Sequence, residues 1–432
     1  MKPPSDTLRY LYGLQNRGMK FGLRNIRALL AAAGHPENAF PSIHVAGTNG
    51  KGSTSAFLAS IFREAGCRTG LYTSPHLIRF NERMRVNGAE IPDGRLAYYV
   101  AVLRPAIEET RATFFEATTC VAFLYFADEA VDVAVVEAGL GGRLDATNVL
   151  RPLVSVITNV SFDHQEFLGN TLRAIAREKA GIIKQGVPVV TASTDPVVLS
   201  VLRRAAVRHN TRLFRAGSLV RTIAAGTGGR ITLRAKGLTL ARVRPGLAGD
   251  FQKSNAALAV AALVLLRRKR RIRRAFPGLD ARGTMRGLAR VRKNSGLRGR
   301  LQTVKAKGNV LIDVAHNPDG VRTLVHELER LKLPPRIAVF GVMKDKDIGA
   351  MLDQLAGAVR TLVAVKPSTR RALSVRALVR EGRKRGMEVV PGGSVASGLR
   401  RARRIAGNRP LLVTGSHYVV GEALQALCGK EA

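Results

Sequence analysis

The chain has 432 residues, 46% apolar and 23% charged, which is enough for two or three domains with packed cores. No apolar run approaches the roughly 18 residues of a membrane span. Residues 1–6 are polar and proline-bearing, not a charged-then-apolar leader, and Cys67, Cys120 and Cys428 form no C-x-x-C pair, so a reducing cytoplasm without disulfide or zinc is expected. The net charge of +39 attracts polyanions, but aromatics are only 5% of the chain and do not interleave with the basic runs 267–274 and 400–404, so nucleic acid is not expected as a specific partner.

In chain order, residues 8–33 read as helices flanking the first strand. Ser42–Ala46 is a buried strand, and His44 within it reads as a structural histidine. The stretch I-H-V-A-G-T-N-G-K-G-S at 43–53 runs from that strand through a glycine turn into a helix predicted over 53–62. Strand, glycine turn, lysine and hydroxyl make a phosphate cradle. Gly47 and Gly50 let backbone N–H groups face phosphate oxygens, Lys51 reaches the β and γ phosphates, and a hydroxyl can hold Mg²⁺. The common pattern G-x-x-x-x-G-K-[ST] would need glycine at Val45 and a hydroxyl residue at Gly52. The extra glycine between Lys51 and Ser53 marks an unusual subtype of nucleotide loop.

Further strands are predicted at Thr69–Tyr72, 131–136, 153–158 and 187–190, with helices at 57–65 and 172–183 between them. Such alternation predicts a doubly wound, mostly parallel sheet. Polar residues follow the strand ends. Ser74 and His76 lie in T-S-P-H-L, Glu137 precedes A-G-L-G-G-R-L-D-A-T-N, and Asp163 and His164 follow the fourth strand. Ligands of open α/β sheets bind outside the carboxyl ends of the strands, so these residues converge. A serine oxygen, a carboxylate and an imidazole suit Mg²⁺ or Mn²⁺ beside ATP, the histidine being the weakest member for Mg²⁺.

Residues 231–243 alternate in period two about Lys236-Gly237 and predict an antiparallel hairpin. The segment 291–299 is the candidate linker. A second α/β pattern follows, with strands at 310–313, Ile337–Phe340, Thr361–Val365, 388–390 and Leu411–Thr414. Asp313-Val314-Ala315-His316-Asn317-Pro318 directly follows a strand. It reads either as an acid for a ribose hydroxyl with an imidazole by the nucleotide, or as an Asx turn starting a helix. Arg300 reads as a phosphate clamp. The fold class is therefore α/β, a P-loop-containing doubly wound sheet with a second, smaller Rossmann-like domain, divided as 1–294 and 295–432.

These residues, in this order, resemble the folylpolyglutamate synthase and dihydrofolate synthase family of the Mur ligase superfamily, over nearly the whole chain. The resemblance is carried by G-T-N-G-K-G-S, Y-T-S-P-H-L with F-N-E-R-M-R-V-N-G, E-A-G-L-G-G-R-L-D-A-T-N, D-H-Q-E-F-L-G-N-T, R-E-K-A-G-I-I-K and the motif from Asp313 to Pro318. It implies a Mur-type central domain and an ATP-dependent ligase. ATP phosphorylates a pterin-bearing carboxylate of dihydropteroate or a folate, and L-glutamate attacks the acyl phosphate. By position, Ser74, Glu137 and His164 look like metal ligands, for one or two Mg²⁺. Lys179 looks like the lysine that becomes a carbamate and a further ligand. Lys51, Lys179 and His164 are the catalytic set. Residues Gly47, Thr48, Asn49, Gly50, Lys51, Gly52 and Ser53, with Asn255, Arg300, Asp313 and His316, look like nucleotide contacts.

The resemblance places the pterin substrate at His76, at Thr113, Phe114, Phe115 and Glu116, and at Leu144, Asp145 and Ala146. The G-G-R-L-D-A-T-N segment resembles the bifunctional bacterial form, and a monomer is expected. Phe251 stands for the usual histidine, Arg298 for a proline, Val314 for a glycine and His417 for a leucine. Two other functions fit parts of the pattern. A cell-wall amino-acid ligase is opposed by Gly52 and T-S-P-H-L. A non-enzymatic nucleic-acid binder on a ligase fold is opposed by the complete set Lys51, Glu137, His164 and Lys179.

Overall fold

A computed structural model of the protein describes residues 6–225, 228–305, 309–331 and 337–429, so most of the leader reading at 1–6 lies outside the described residues. The first sheet contains β1 (Ser42–Ala46), β2 (Thr69–Tyr72), β3 (Met84–Val86), β4 (Ala89–Glu90), β5 (Val133–Glu137), β6 (Val154–Ile157), β7 (Val189–Thr191) and β8 (Leu213–Arg215). Their order is β4-β3-β2-β5-β1-β6-β7-β8. The pairs from β2 to β8 are parallel, while β3 and β4 add an antiparallel edge. All five residues of β1 and of β5 are buried, as central strands covered on both faces require.

One face of this sheet is covered by Lys51–Glu64, Asp250–Arg267 and Ala281–Ser295, around a core including Ile43, Phe57, Phe62 and Leu258. The other face carries Asp93–Glu109 and Phe114–Asp128, packed about Phe123, Phe126 and Tyr72. His44, fully buried in β1, meets Thr147 at 2.8 Å. The Thr147 hydroxyl donates to Asp145, so it accepts from His44 Nε2–H. Burial lowers this imidazole to about 3, so it is neutral and structural, as the sequence implies.

A separate sheet of β9 (Val220–Ala224), β10 (Ile231–Ala235) and β11 (Leu238–Val243) holds the predicted hairpin and one strand the sequence pattern did not show. Its apolar face packs on Asp250–Arg267. The proposed linker is half wrong. The helix Ala281–Ser295 runs through its first five positions, and the irregular connection starts at Gly296, in left-handed backbone at φ 65°.

The second sheet contains β12 (Gln302–Lys305), β13 (Asn309–Ile312), β14 (Ile337–Phe340), β15 (Thr361–Val365), β16 (Glu388–Gly393) and β17 (Leu411–Thr414), ordered β12-β13-β17-β14-β15-β16. Only β12 is antiparallel. Helices cover both faces, giving one core around Phe340 and Leu352 and another around Val339 and Val413. No helix among the described residues is long and apolar enough to cross a membrane.

Candidate active site

The carboxyl ends of β1, β5 and β6 open onto a cleft of about 1520 Å³ whose far wall belongs to the second sheet's loops. A single small-molecule pocket occupies roughly 300–1,000 Å³, so this cleft has room for more than one ligand. Every sequence-predicted site residue lines it except His76. His76 lies behind the wall, where Nδ1 accepts from Arg83 at 2.9 Å and Nε2–H faces the Tyr12 hydroxyl at 3.3 Å. Burial and the Arg83 charge lower His76 to about 3, so it orients Arg83 as a neutral ring and does not face the cleft.

The loop after β1 owes its shape to glycine. At Gly47, φ is 149° and a Cβ would lie 1.8 Å from Thr158 Oγ1. Gly50, at φ 84°, would strike Asn255 Oδ1 at 2.6 Å. Thr158 Oγ1 donates to Asn49 O at 2.7 Å, and Asn49 N–H donates to Asn159 Oδ1 at 2.7 Å, so β6 holds the loop from beneath. Lys51 starts the helix and its Nζ donates to Gly47 O and Thr48 O, at 3.1 and 3.0 Å. Ser53 is 1% exposed and accepts from Gln252 at 3.2 Å; Gln252 in turn accepts from Asn255 at 2.9 Å. Asn255 thus belongs to the loop's support.

Above Gly52 two opposite charges converge. A Cβ there would lie 3.5 Å from both Arg300 Nη2 and Glu137 Oε2. Arg300, from the second domain's first residues, and Glu137, at the end of β5, thus both approach Gly52 at ordinary contact distance. Glu137 is buried and, among the described residues, takes a single long bond, from Ser74 N–H at 3.3 Å. Burial raises its carboxyl, against the pull of Lys51 and Arg300. Asp313, after β13, accepts from Leu301 N–H and Ala315 N–H, each at 2.8 Å. Burial raises it as well, with Arg300 opposing. Asn317 caps the next helix by accepting from Gly320 N–H, so the Asx-turn reading of this motif is realised. Asn317 also reaches Asn49 and Asp163, each at 3.0 Å, so the turn faces the nucleotide loop too.

Lys179, on the helix Leu172–Ala180, is 3% exposed and donates to Gly47 O at 2.9 Å. Burial first, then the Lys51 charge, lowers its ammonium to about 7. His164 sits at φ 50°, and burial lowers it to about 4. The residue the sequence reading missed is Lys346, in the K-D-K after β14. Its Nζ lies 2.6 Å from Asp163 Oδ1 and 3.2 Å from His164 Nε2. The signal was its place past a parallel strand end, hidden in a chain rich in lysine and arginine. Burial would raise Asp163, but His316, His164 and Lys346 outweigh it and hold the carboxyl well below its ordinary value.

The residues fit a divalent cation. Glu137 is a buried carboxylate short of donors, and a lysine cation already lies against Asp163 and His164. No group of three His, Cys, Asp or Glu side chains suited to a metal occurs among the described residues. A site here would be mixed, from Ser74, Glu137, His164 and Lys179, all of which line the cleft.

The residues expected to meet the pterin form a separate wall. Thr113 and Glu116 make a capping box, with Thr113 N–H and Oγ donating to Glu116 at 2.7 and 2.8 Å. The Phe114 ring stacks with Tyr12 at 5.9 Å, and the Arg83 guanidinium lies 5.4 Å from its centroid. Phe115 packs against Gly139. Asp145 caps the turn before Ala146–Val149, accepting from Leu140 N–H at 2.8 Å and Thr147 N–H at 3.0 Å. Asp145 therefore caps a turn, with Leu144 and Ala146 beside it on the cleft.

A phosphate loop feeding a buried carboxylate and lysine, faced by a second α/β domain, defines a Mur-type ligase. The chain matches the Mur ligase middle domain over residues 45–263 and the Mur ligase glutamate ligase domain over 299–417. It is 34% identical to folylpolyglutamate synthase of Lacticaseibacillus casei, covering 98% of this chain and 99% of that one. It is 38% identical to dihydrofolate synthase/folylpolyglutamate synthase of Bacillus subtilis, covering 81% and 82%. Among solved structures, E. coli FolC in complex with DHPP and ADP superposes with a TM-score of 0.86 at 29% identity, over 99% of this chain and 98% of that one. The chain belongs to the folylpolyglutamate synthase and dihydrofolate synthase family.

Proposed function

We propose that this protein is an ATP-dependent carboxylate–amine ligase that adds L-glutamate to dihydropteroate and to folates. The observation that supports it most is the convergence of Lys51, Glu137, Lys179 and Arg300 on one cleft beside a glycine loop. Relatives named for both activities, and structures of relatives holding ADP or AMPPCP, support the same reading. The working parts are a nucleotide and pterin domain at 1–294 and a glutamate-ligase domain at 295–432.

A carboxylate is a poor acyl donor, and phosphorylation gives it a leaving group. The substrate carboxylate oxygen attacks the γ-phosphorus and ADP departs. The loop N–H groups and Lys51, which now rests on Gly47 O and Thr48 O, swing onto the β and γ phosphates and stabilise the growing charge. Arg300 adds a second fixed cation from the other domain. The amino group of glutamate then attacks the acyl carbon, the C–N bond forms, phosphate leaves and the amine loses its proton. Bound Mg²⁺ would neutralise phosphate charge, held by Ser74, Glu137 and His164 with Lys179 as a carbamate. Lys179 supports that modification because an amine lowered to about 7 is largely neutral and nucleophilic at cellular pH. The enzyme acts as a cytoplasmic monomer; its three free thiols and a cleft built by one chain support this.

The test is product mass. Purified protein with ATP, Mg²⁺, L-glutamate and either dihydropteroate or a reduced folate should yield products one glutamate heavier, with one phosphate released per addition. ATP hydrolysis unaffected by either pterin, and no heavier product, would reject the reading.

A further inference from the structure

The charge of this chain is not spread evenly. Between Asp195 and Asp250 there is no acidic residue, while ten arginines and one lysine fall there. All eleven are exposed, and among the described residues none pairs with a carboxylate. None of these eleven lines the catalytic cleft.

The fold gathers them into one lobe. Arg203, Arg204 and Arg208 lie on the outer side of the helix Pro196–Arg208, which feeds the edge strand β8. There, the Arg212 and Arg268 guanidiniums both lie over the Phe214 ring, with guanidinium carbons 5.6 and 5.3 Å from its centroid. Arg268 follows the helix Asp250–Arg267 and stands just before the exposed basic helix Arg270–Ala275. On the adjoining three-stranded sheet, Arg234 of β10 is paired directly opposite Arg221 of β9, both exposed. Like charges directly opposite on a sheet are destabilising, and among the described residues no carboxylate pairs with either arginine.

We infer that this lobe is a sequence-independent docking surface for the phosphodiester backbone of double-helical nucleic acid. The charges are mostly arginine, whose planar fork matches phosphate oxygens. They extend over a helix, a strand edge and a sheet face, which suits a long polyanion with regular charge and not a single headgroup. The one aromatic ring within the basic strip is already covered by two guanidiniums, so it offers no stacking platform for single-stranded bases. Exposed apolar side chains here are confined to Val197 and Val207, too few to wedge into a lipid surface.

The test uses the full chain and a labelled random-sequence 30-base-pair duplex, with anisotropy read across a salt series. The first variant carries Arg208→Ser, Arg215→Ser, Arg221→Ser and Arg234→Ser. The control carries the same charge change on the second domain, Arg376→Ser, Arg383→Ser, Arg400→Ser and Arg404→Ser. Each lost duplex phosphate contact lowers the log–log salt slope by about 0.9, so the lobe variant should lose about two or more from that slope and about 100-fold in affinity near 0.1 M salt. The control should lose under about one. Glutamate ligation by the lobe variant should equal wild type. Equal losses in both variants would make this a net-charge effect and overturn the proposal. So would tighter binding to phosphatidylglycerol vesicles than to duplex at equal salt, or no duplex binding near 0.1 M salt. If the lobe variant fails to fold, hydrogen exchange of wild type decides. Duplex should slow exchange in residues 208–221 and 231–243, and protection confined to other segments overturns the surface assigned here.

Discussion

Lys179→Met separates the cost of Lys179 from its use. The side chain is almost wholly buried, and its ammonium is lowered from 10.5 to about 7, chiefly by burial and next by Lys51. At pH above the unfolded value neither state binds the proton, and Lys179 has no effect on stability. As pH falls from about 10.5 to about 7 the unfolded chain takes up the proton and the folded one does not, so stability falls. Below about 7 both states are protonated, and the penalty levels off at on the order of 4 kcal/mol. Methionine removes that penalty. It also removes a donor from Gly47 O, but Lys51 still donates there at 3.1 Å, so about 1 kcal/mol is lost. In carbon dioxide-free buffer without metal, the variant should be about 2–3 kcal/mol more stable than wild type at pH 7 by urea unfolding. That advantage should shrink towards pH 10. Ligation should collapse, and ¹³C-bicarbonate should label wild type but not the variant. A variant less stable at pH 7, or a gain that does not change with pH, would refute the account of Lys179 as a lysine forced neutral. An active, metal-loaded wild type that carries no label would refute the carbamate.

Lys51→Ala should leave the fold intact and cut turnover by more than about 100-fold, since a preorganised charge on a developing oxyanion is worth on the order of 3 kcal/mol; near-normal turnover would remove this loop from catalysis. Lys346→Met leaves Asp163 buried without its cation at 2.6 Å, so the metal-free protein should lose on the order of 3 kcal/mol, whereas unchanged unfolding would show that the pair does not tie the domains. Purified protein should add glutamate to both dihydropteroate and a reduced folate. Activity on reduced folates alone, at matched concentration, would show that the G-G-R-L-D-A-T-N segment does not mark bifunctionality.

The sequence made the central strands and the nucleotide loop legible because both rest on local signals. β1 and β5 are short apolar runs, and the loop is a fixed glycine spacing. The edge strands were not legible. β3 and β4 have three and two residues, β8 has three, and β12 is half exposed, so none carries a buried apolar run. The linker misreading has a similar cause. Residues 291–295 look polar, but Val291 and Ser295 are buried against the Lys51–Glu64 helix while the charges face solvent. His76 and Asp145 show the other limit. A strand-end position for His76 and the family resemblance for both placed them near the site, but only the three-dimensional hydrogen bonds show that His76 serves Arg83 and that Asp145 caps a turn. Lys346 was invisible for a further reason, since its partners Asp163 and His164 lie far away in sequence, in the other domain.

Three of the four departures from the family pattern, at Phe251, Val314 and His417, share a location. Phe251 starts a first-domain helix but packs against the second domain's core, where Leu301 and Ala315 also lie. Val314 is buried, and its Cγ1 would sit 3.0 Å from a Cβ on Gly299 in the connection between the domains. The His417 ring lies 5.1 Å from His316, and burial first, with Arg300, Lys51 and Lys346 acting in the same direction, lowers His417 well below its ordinary value, so the ring is neutral. In the opposite direction, Leu77 and Ile78 of the first domain pack on the second domain's other core. These three departures therefore put an apolar side chain or a neutral ring at the junction, while the polar contacts across it, Asn49 to Asn317 and Lys346 to Asp163, converge on the nucleotide loop. Apolar burial is non-directional, whereas those polar contacts need exact partners. Apolar shape at the junction is thus less tightly constrained than the polar contacts that hold the loop.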